Sequence, residues 1–376
     1  MRVVFCINTL ATLGGIEAIT ITKANALSQN PDNSIWIITC CDDSIQTCIP
    51  VSDKVRIIGI KAQTSWNFPW NLFQFTSIWV WLRKELINVF SQIQPDIVIT
   101  TGGFDKWIIP TIKGRWSKIR EIHGEKRYRK RNAHSIIQKV FASIAEFLDY
   151  GFNICHFDRI ILLTQEDKLT NWNNNDKVRV IPNPIRMTQH QASNWSKKRI
   201  IAVGRLVYQK NYSSLLRVFA KVLKLYPDWR LDIYGDGGDH DALLTEIDAL
   251  GISSSTYLMG NSNTLEEEMQ NSSLFVSTSR FEGLSLAMLE AMSCGLPVVS
   301  YTYPCGPKDV IQDGVNGYLI PMGDEELMAE KICTLLNDYN LREQMGKAAL
   351  ERSKDFSIDH ICEMWEDLFQ QLRKES

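Results

Sequence analysis

Short, unbroken apolar runs alternate with helix-length segments along the whole chain, and this alternation constrains the fold more than any other feature. Arg2–Ile7 reads as a strand apolar on both faces, and Ser34–Thr39, Val55–Ile60, Ile97–Thr100, Arg120–Ile122, Arg159–Leu163 and Val178–Ile181 read as further strands. Such runs belong to parallel sheets covered on both sides. Ile16–Gln29, Trp79–Gln94 and Ala133–Tyr150 read as the helices between them. Pro182–Lys198 is polar and aperiodic and reads as a linker. The alternation then restarts, with strands at Ile200–Val203, Trp229–Tyr234, Thr256–Met259 and Leu274–Val276 and helices at Ser213–Leu225, His240–Leu250 and Thr264–Asn271. Strand–helix repetition of this kind predicts doubly wound parallel sheets. A chain of 376 residues is too long for a single core. We therefore expect an α/β protein with one domain at residues 1–183, a second at 184–356 and a closing helix at 357–376.

Composition narrows the class. The chain is 44% hydrophobic and 22% charged, as a soluble globular protein is. The net charge of −2 hides an asymmetry. Residues 1–190 carry 23 Lys/Arg against 16 Asp/Glu, and residues 191–376 carry 18 against 27. Two halves of opposite sign suggest domains with different partners. Nine dispersed cysteines form no C-x-x-C pair, which gives no hint of zinc and fits a reduced, cytoplasmic setting. No run approaches the length of a membrane span, and the N-terminus reads as a first strand rather than a signal peptide.

The stretch from Leu274 to Val299 holds the densest chemical information. It reads as strand, loop, helix, turn and strand. Glu282 and Glu290 bracket the helix, and at 1.5 Å per residue their eight-residue step spans about 12 Å. Gly283, Leu284, Ser285 and Leu286 form the helix start, where free N–H groups and the positive end of the dipole attract an anion. Gly204 and Arg205, with Lys210 five residues on, follow the first strand of the second domain. This places two cations at the carboxyl end of a parallel strand, where ligands bind in such sheets. Gly235 and Gly237 end the next strand, and Gly260 the one after it; glycines there let backbone approach a ligand or simply make a turn. In the first domain Gly14 and Gly15 occupy the first strand–helix turn, and His123 with Gly124 ends the fifth strand.

The segments Val203–Asn211, Tyr234–Gly238, Glu282–Glu290, Tyr303–Pro307 and Asp313–Gly317 together resemble retaining glycosyltransferases of family 4, which have the GT-B fold and an E-x7-E signature. Tyr303–Pro307 is similar to a variant found in enzymes that build bacterial surface polysaccharides. The resemblance is nearly continuous in the second half and confined to Gly14, Gly15 and His123 in the first. It implies two Rossmann-like domains facing a cleft, with the acceptor on the first and a nucleotide-sugar donor, most simply a UDP-sugar, on the second. Arg205 and Lys210 would stabilise the leaving diphosphate, Glu290 would hold the ribose and Glu282 the sugar. Gly260 would meet the base, and His123 a donor hydroxyl. No metal is expected, and no cofactor beyond the donor itself.

Residues 113–139 carry ten Lys/Arg against Glu121 and Glu125, and the helix after them is apolar along one broad side. Upstream lie Trp66, Phe68, Trp70, Phe73, Phe75, Trp79 and Trp81. Basic and aromatic residues without a span suggest attachment of residues 113–147 to an anionic membrane surface, on the inner face of the cell membrane. Nucleic acid would also suit the charge, but no stacking motif accompanies it. The expected activity is retaining transfer of a hexose or N-acetylhexosamine to a lipid-linked glycan. A UDP-sugar 2-epimerase of the same fold and a non-catalytic nucleotide-sugar-binding protein are the alternatives.

Overall fold

The computed structural model describes residues 1–11, 15–40, 47, 49–60, 72–133, 135–173, 175–185, 193 and 195–375. Gly14, Trp66, Phe68 and Trp70 lie outside the described residues, as do the side chains of Phe73 and Phe75. The chain divides into two compact units. Unit 1 comprises Met1–Leu163, Lys168–Pro184 and Ile358–Ser376, and unit 2 comprises Thr164–Asp167 and Ile185–Ser357.

Unit 1 is built on seven parallel strands. They are β1 (Arg2–Ile7), β2 (Ser34–Thr39), β3 (Val55–Gly59), β4 (Ile97–Thr100), β5 (Ser117–Ile122), β6 (Arg159–Leu162) and β7 (Val178–Val180), in the order β3-β2-β1-β4-β5-β6-β7. Alternate side chains of each strand point to opposite faces, so a strand apolar throughout feeds two cores. Val3, Phe5 and Ile7 enter one core with Ile21 and Leu27 of helix α1 (Gly15–Leu27). That core is completed by Ile361, Trp365 and Phe369 of the closing helix, which runs from Ile358 to Glu375. Val4 and Cys6 enter the other core with Leu82, Leu86 and Phe90 of α2 (Leu72–Ile93).

The single helix expected at Ala133–Tyr150 is instead a broken run. It consists of α3 (Tyr128–Arg131), α4 (Ile136–Glu146), a π-helical stretch (Phe147–Asn153) and a 3₁₀ turn (Ile154–His156). A capping box starts α4: the Ser135 hydroxyl accepts from the Gln138 amide at 3.1 Å, and the Gln138 side chain accepts from the Ser135 N–H at 3.1 Å. The S-x-x-Q spacing is a start signal that the apolar periodicity overran. Helix α2 also begins seven residues before the expected Trp79, and β5 three before Arg120. Helix α5 (Gln165–Asn171) then leads to β7.

Unit 2 has six parallel strands. They are β8 (Arg199–Val203), β9 (Arg230–Tyr234), β10 (Thr256–Gly260), β11 (Leu274–Ser277), β12 (Val298–Tyr301) and β13 (Gly317–Ile320), in the order β10-β9-β8-β11-β12-β13. Its helices are α6 (Tyr212–Leu223), α7 (His240–Ala249), α8 (Leu265–Gln270), α9 (Leu286–Ser293), α10 (Pro307–Val310), α11 (Glu325–Asn337) and α12 (Tyr339–Ser353). Both sheets reverse their strand order once, between β1 and β4 in unit 1 and between β8 and β11 in unit 2. Loops leaving the two strands at such a reversal diverge to opposite faces and leave a crevice at the carboxyl edge, where ligands bind in folds of this kind.

Candidate functional site

At the reversal point of unit 2, the loop after β8 is laced to the loop after β11. Asn211 takes a left-handed conformation (φ 55°), and its side-chain amide donates to the Thr278 carbonyl at 3.2 Å. The Thr278 hydroxyl donates to the carbonyl of Lys210 at 3.1 Å. The Arg280 N–H donates to the Gln209 carbonyl at 2.8 Å, and the Gln209 side chain donates to the Phe281 carbonyl at 2.8 Å. These bonds bring Lys210 and Glu282 together: Lys210 Nζ lies 2.8 Å from Glu282 Oε1. The Ser279 hydroxyl donates to the same oxygen. Glu282 is only 9% exposed, so the pair is partly desolvated and its attraction is stronger than in open water.

Gly204 decides where the lysine goes. Its φ is +151°, and a Cβ there would lie 2.4 Å from Lys210 Cε. The amine therefore crosses directly over the glycine to reach the carboxylate. Gly235 is similarly constrained, with φ +129° and a would-be Cβ 2.1 Å from the Gly204 carbonyl oxygen. The turns after β8, β9 and β10 also hydrogen-bond to one another: Gly204 N–H donates to Tyr234 O at 2.9 Å, Leu206 N–H to Asp236 O at 2.9 Å and Gly235 N–H to Gly260 O at 2.8 Å. A Cβ on Gly237 would meet the Leu206 carbonyl oxygen at 2.4 Å. Arg205 is exposed and has no ion-pair or hydrogen-bond partner for its side chain among the described residues.

Helix α9 begins immediately after the loop that carries Glu282. Leu284 and Ser285 are buried, at 7% and 5% exposure, and Ser285 is the N-cap without a side-chain bond to the first turn. The N–H groups of that turn are thus left for another acceptor. The expected 12 Å helical step between the two glutamates is corrected here. Glu282 belongs to the loop, and only Leu286–Glu290 of the interval is helical. The chain needs Phe281–Ser285 to turn from strand into helix, and Gly295 (φ 74°) stops the helix soon after. Glu290 reaches solvent but is crowded by protein; that desolvation, with Glu266 beside it, raises its pKa. The same crowding, with Glu266 and Glu290 adding to it, pushes the Cys294 thiol up to about 12.

His123 and Gly15 belong to unit 1. Gly15 opens α1. His123 directly follows β5, and among the described residues neither ring nitrogen has a hydrogen-bond partner; Glu121 Oε2 lies 3.6 Å from its Nε2. Glu121 is buried against Lys23 of α1, whose amine also lies 5.0 Å from the Trp365 ring. Burial pushes the Glu121 carboxyl up, but Lys23 and then His123 outweigh it and hold the pKa at about 2. Lys23 and Glu121 were missed from sequence because one sits in an apolar helix and the other in a strand, where nothing marks a charge as buried. Thr278 and Ser279 were missed too. Ser279 stands three residues before Glu282, a short-range signal that was available.

Residues 186–352 match the family model described as Glycosyl transferases group 1. Amylovoran biosynthesis glycosyltransferase AmsD of Erwinia amylovora is 29% identical over 379 residues, covering 98% of this chain and 99% of that protein. Sucrose-phosphate synthase from Thermosynechococcus elongatus superposes with a TM-score of 0.81 over 100% of both chains at 16% identity. A point mutant of S. aureus TarM, solved with Fondaparinux, alpha-GlcNAc-glycerol and UDP, gives a TM-score of 0.65 at 25% identity over 77% of this chain and 59% of that one. Some curated relatives are far longer, and this chain spans only 21% and 25% of two of them. The two sheets share the GT-B architecture of these solved structures, and residues 186–352 are similar to group 1 glycosyl transferases.

Proposed function

We propose that the protein transfers a hexose or N-acetylhexosamine from a UDP-sugar, with retention of anomeric configuration, to a lipid-linked glycan during assembly of a surface polysaccharide. The observation that carries this reading is the Lys210–Glu282 pair, 2.8 Å apart, beside the uncapped N-terminus of α9. A diphosphate at this edge would find Lys210, Arg205 and the first-turn N–H groups of α9. Positive charge fixed where the leaving diphosphate develops its negative charge lowers the barrier to breaking the anomeric C–O bond. The acceptor oxygen bonds the same face of the anomeric carbon, and its proton passes to the departing phosphate oxygen. Glu282, neutralised by Lys210 before the donor arrives, is free to accept from sugar hydroxyls once the lysine turns to phosphate. Glu290, within α9, holds the ribose, and Gly260 lies by the base. In this reading the cations and the helix end do the work for which other transferases use a metal ion. AmsD, by its name an enzyme of amylovoran biosynthesis, and TarM, solved with UDP, are the relatives that favour this chemistry.

The test is a panel of UDP- and GDP-sugars incubated with the enzyme without acceptor, scored for free sugar and nucleotide diphosphate. Slow hydrolysis of one UDP-sugar, abolished in Lys210→Ala, supports the reading. Release of an isomerised sugar would assign the fold to a 2-epimerase instead, and no turnover of any donor would remove the enzymatic reading.

A further inference from the structure

Helix α4 and the π-helical stretch after it are inverted relative to an ordinary crossover helix. Their inward side carries Ala142, Glu146, Asp149 and Asn153, all buried. Asp149 is fully buried and lies 2.7 Å from Lys106, 2.5 Å from Arg120 and 3.1 Å from Arg129. Burial pushes its carboxyl up, but Arg120 and Lys106 outweigh it and hold the pKa at about 2. Glu146 meets Lys130 at 3.3 Å, and the Asn153 amide donates to the Lys106 carbonyl at 3.0 Å. These contacts fix which way the helix faces. The opposite side presents Ile136 (83% exposed), Ile137 (69%), Val140 (53%), Phe141 (67%), Ile144 (51%) and Phe147 (70%) to solvent, and Phe152 (65%) prolongs the strip. Steps of three and four residues place them on one face. A contiguous apolar strip of this kind marks a surface that is covered in use.

The charges around the strip indicate what covers it. Arg127, Lys130, Arg131 and Lys139 are exposed at its leading end, whereas Glu125 and Glu146 are buried. Among the described residues from Glu125 to Phe152, no exposed side chain is acidic. A second copy of the chain docked about a two-fold axis would set this cation cluster against itself. An anionic bilayer satisfies both parts at once, with acyl chains against the strip and lipid phosphates against the cations. We propose that the crossover between β5 and β6 is a membrane-docking element, with α4 lying in the plane of an anionic lipid surface. The sequence suggested such attachment of residues 113–147 from their basic and aromatic residues; in the structure the apolar side of the helix, from Ile136 to Phe152, is exposed. No helix among the described residues is long and apolar enough to cross a membrane, so the docking is by partial insertion. The proposal is independent of which donor or acceptor the enzyme uses.

The experiment is sedimentation of the full chain with phosphatidylcholine vesicles, with and without phosphatidylglycerol, at low and high salt. Wild type should sediment with the anionic vesicles, less so at high salt. Phe141→Glu with Phe147→Glu should lower the bound fraction roughly tenfold at unchanged circular dichroism and melting temperature, since both side chains are exposed. Arg127→Glu with Lys139→Glu should remove the preference for anionic lipid. Absence of vesicle binding by the wild type at low salt would overturn the proposal, as would unchanged binding by the Phe141→Glu/Phe147→Glu protein. A dimer dispersed by that same pair of changes, without vesicle binding, would assign the strip to a second copy and overturn it as well.

Discussion

Lys210 is positioned as much by a missing side chain as by a partner. Its stem crosses the space that a Cβ on Gly204 would occupy, 2.4 Å from Cε, and its amine ends on Glu282. Lys210→Ala should lower kcat/KM by about 10²- to 10³-fold, as loss of a charge aimed at a developing anion does elsewhere. Gly204→Ala should lower activity by displacing the amine. It should also destabilise the fold by about 1–3 kcal/mol, because a φ of +151° strains any L side chain; kinetics and thermal denaturation together would show both effects. A different residue adds a pH dependence in unit 1. Asp105 is fully buried and accepts from the Thr100 hydroxyl, and burial raises its pKa from 3.8 to about 6. A carboxyl whose folded pKa is raised favours the fold below its unfolded pKa and loses that contribution as pH rises through 6. Asp105→Asn should therefore stabilise the protein by about 3 kcal/mol at pH 7.5, with the difference vanishing near pH 3, as read from melting curves across that range.

At the scale of elements, the strands were legible because a parallel strand between two helical layers is apolar without interruption, as in Val3–Ile7 of β1 and Ile35–Ile38 of β2. Loop glycines were legible where the backbone needs positive φ, as at Gly204 and Gly235. The crossover after β5 was not. Its apolar residues have the spacing of a core-facing helix, yet the buried side is the one bearing Glu146 and Asp149. Periodicity tells which residues share a face and not which way the face points; that is set here by Lys106, Arg120, Arg129 and Lys130, distant or hidden in a basic run. The closing helix shows the reverse case, with its apolar stripe inward. Trp365 is fully buried beside Phe369 and beneath Lys23. Trp365→Ala should cost about 3–5 kcal/mol, measured by urea denaturation, since a cavity opens where the two helices and the sheet meet.

Across the whole molecule, one chain builds two sheets with the same reversal of strand order, and the last helix returns to the first sheet's unit. That repetition was readable from the alternation of strands and helices. The donor-side constellation was readable as residues but not as contacts: the sequence placed Glu282 with a sugar and Lys210 with a phosphate, while the structure pairs them with each other. Residues 191–376 carry 18 Lys/Arg against 27 Asp/Glu, so the general field there opposes an anionic donor. Under the proposed function, binding would then depend on a few local groups, Lys210, Arg205 and the N-terminus of α9, and would be sensitive to single substitutions. Calorimetric titration with UDP tests this most directly. Wild type should bind UDP, Lys210→Ala should bind it at least roughly tenfold more weakly, and Glu282→Gln should bind it with similar affinity while losing donor turnover. Equal UDP affinity in wild type and Lys210→Ala, or no binding by wild type, would contradict the account.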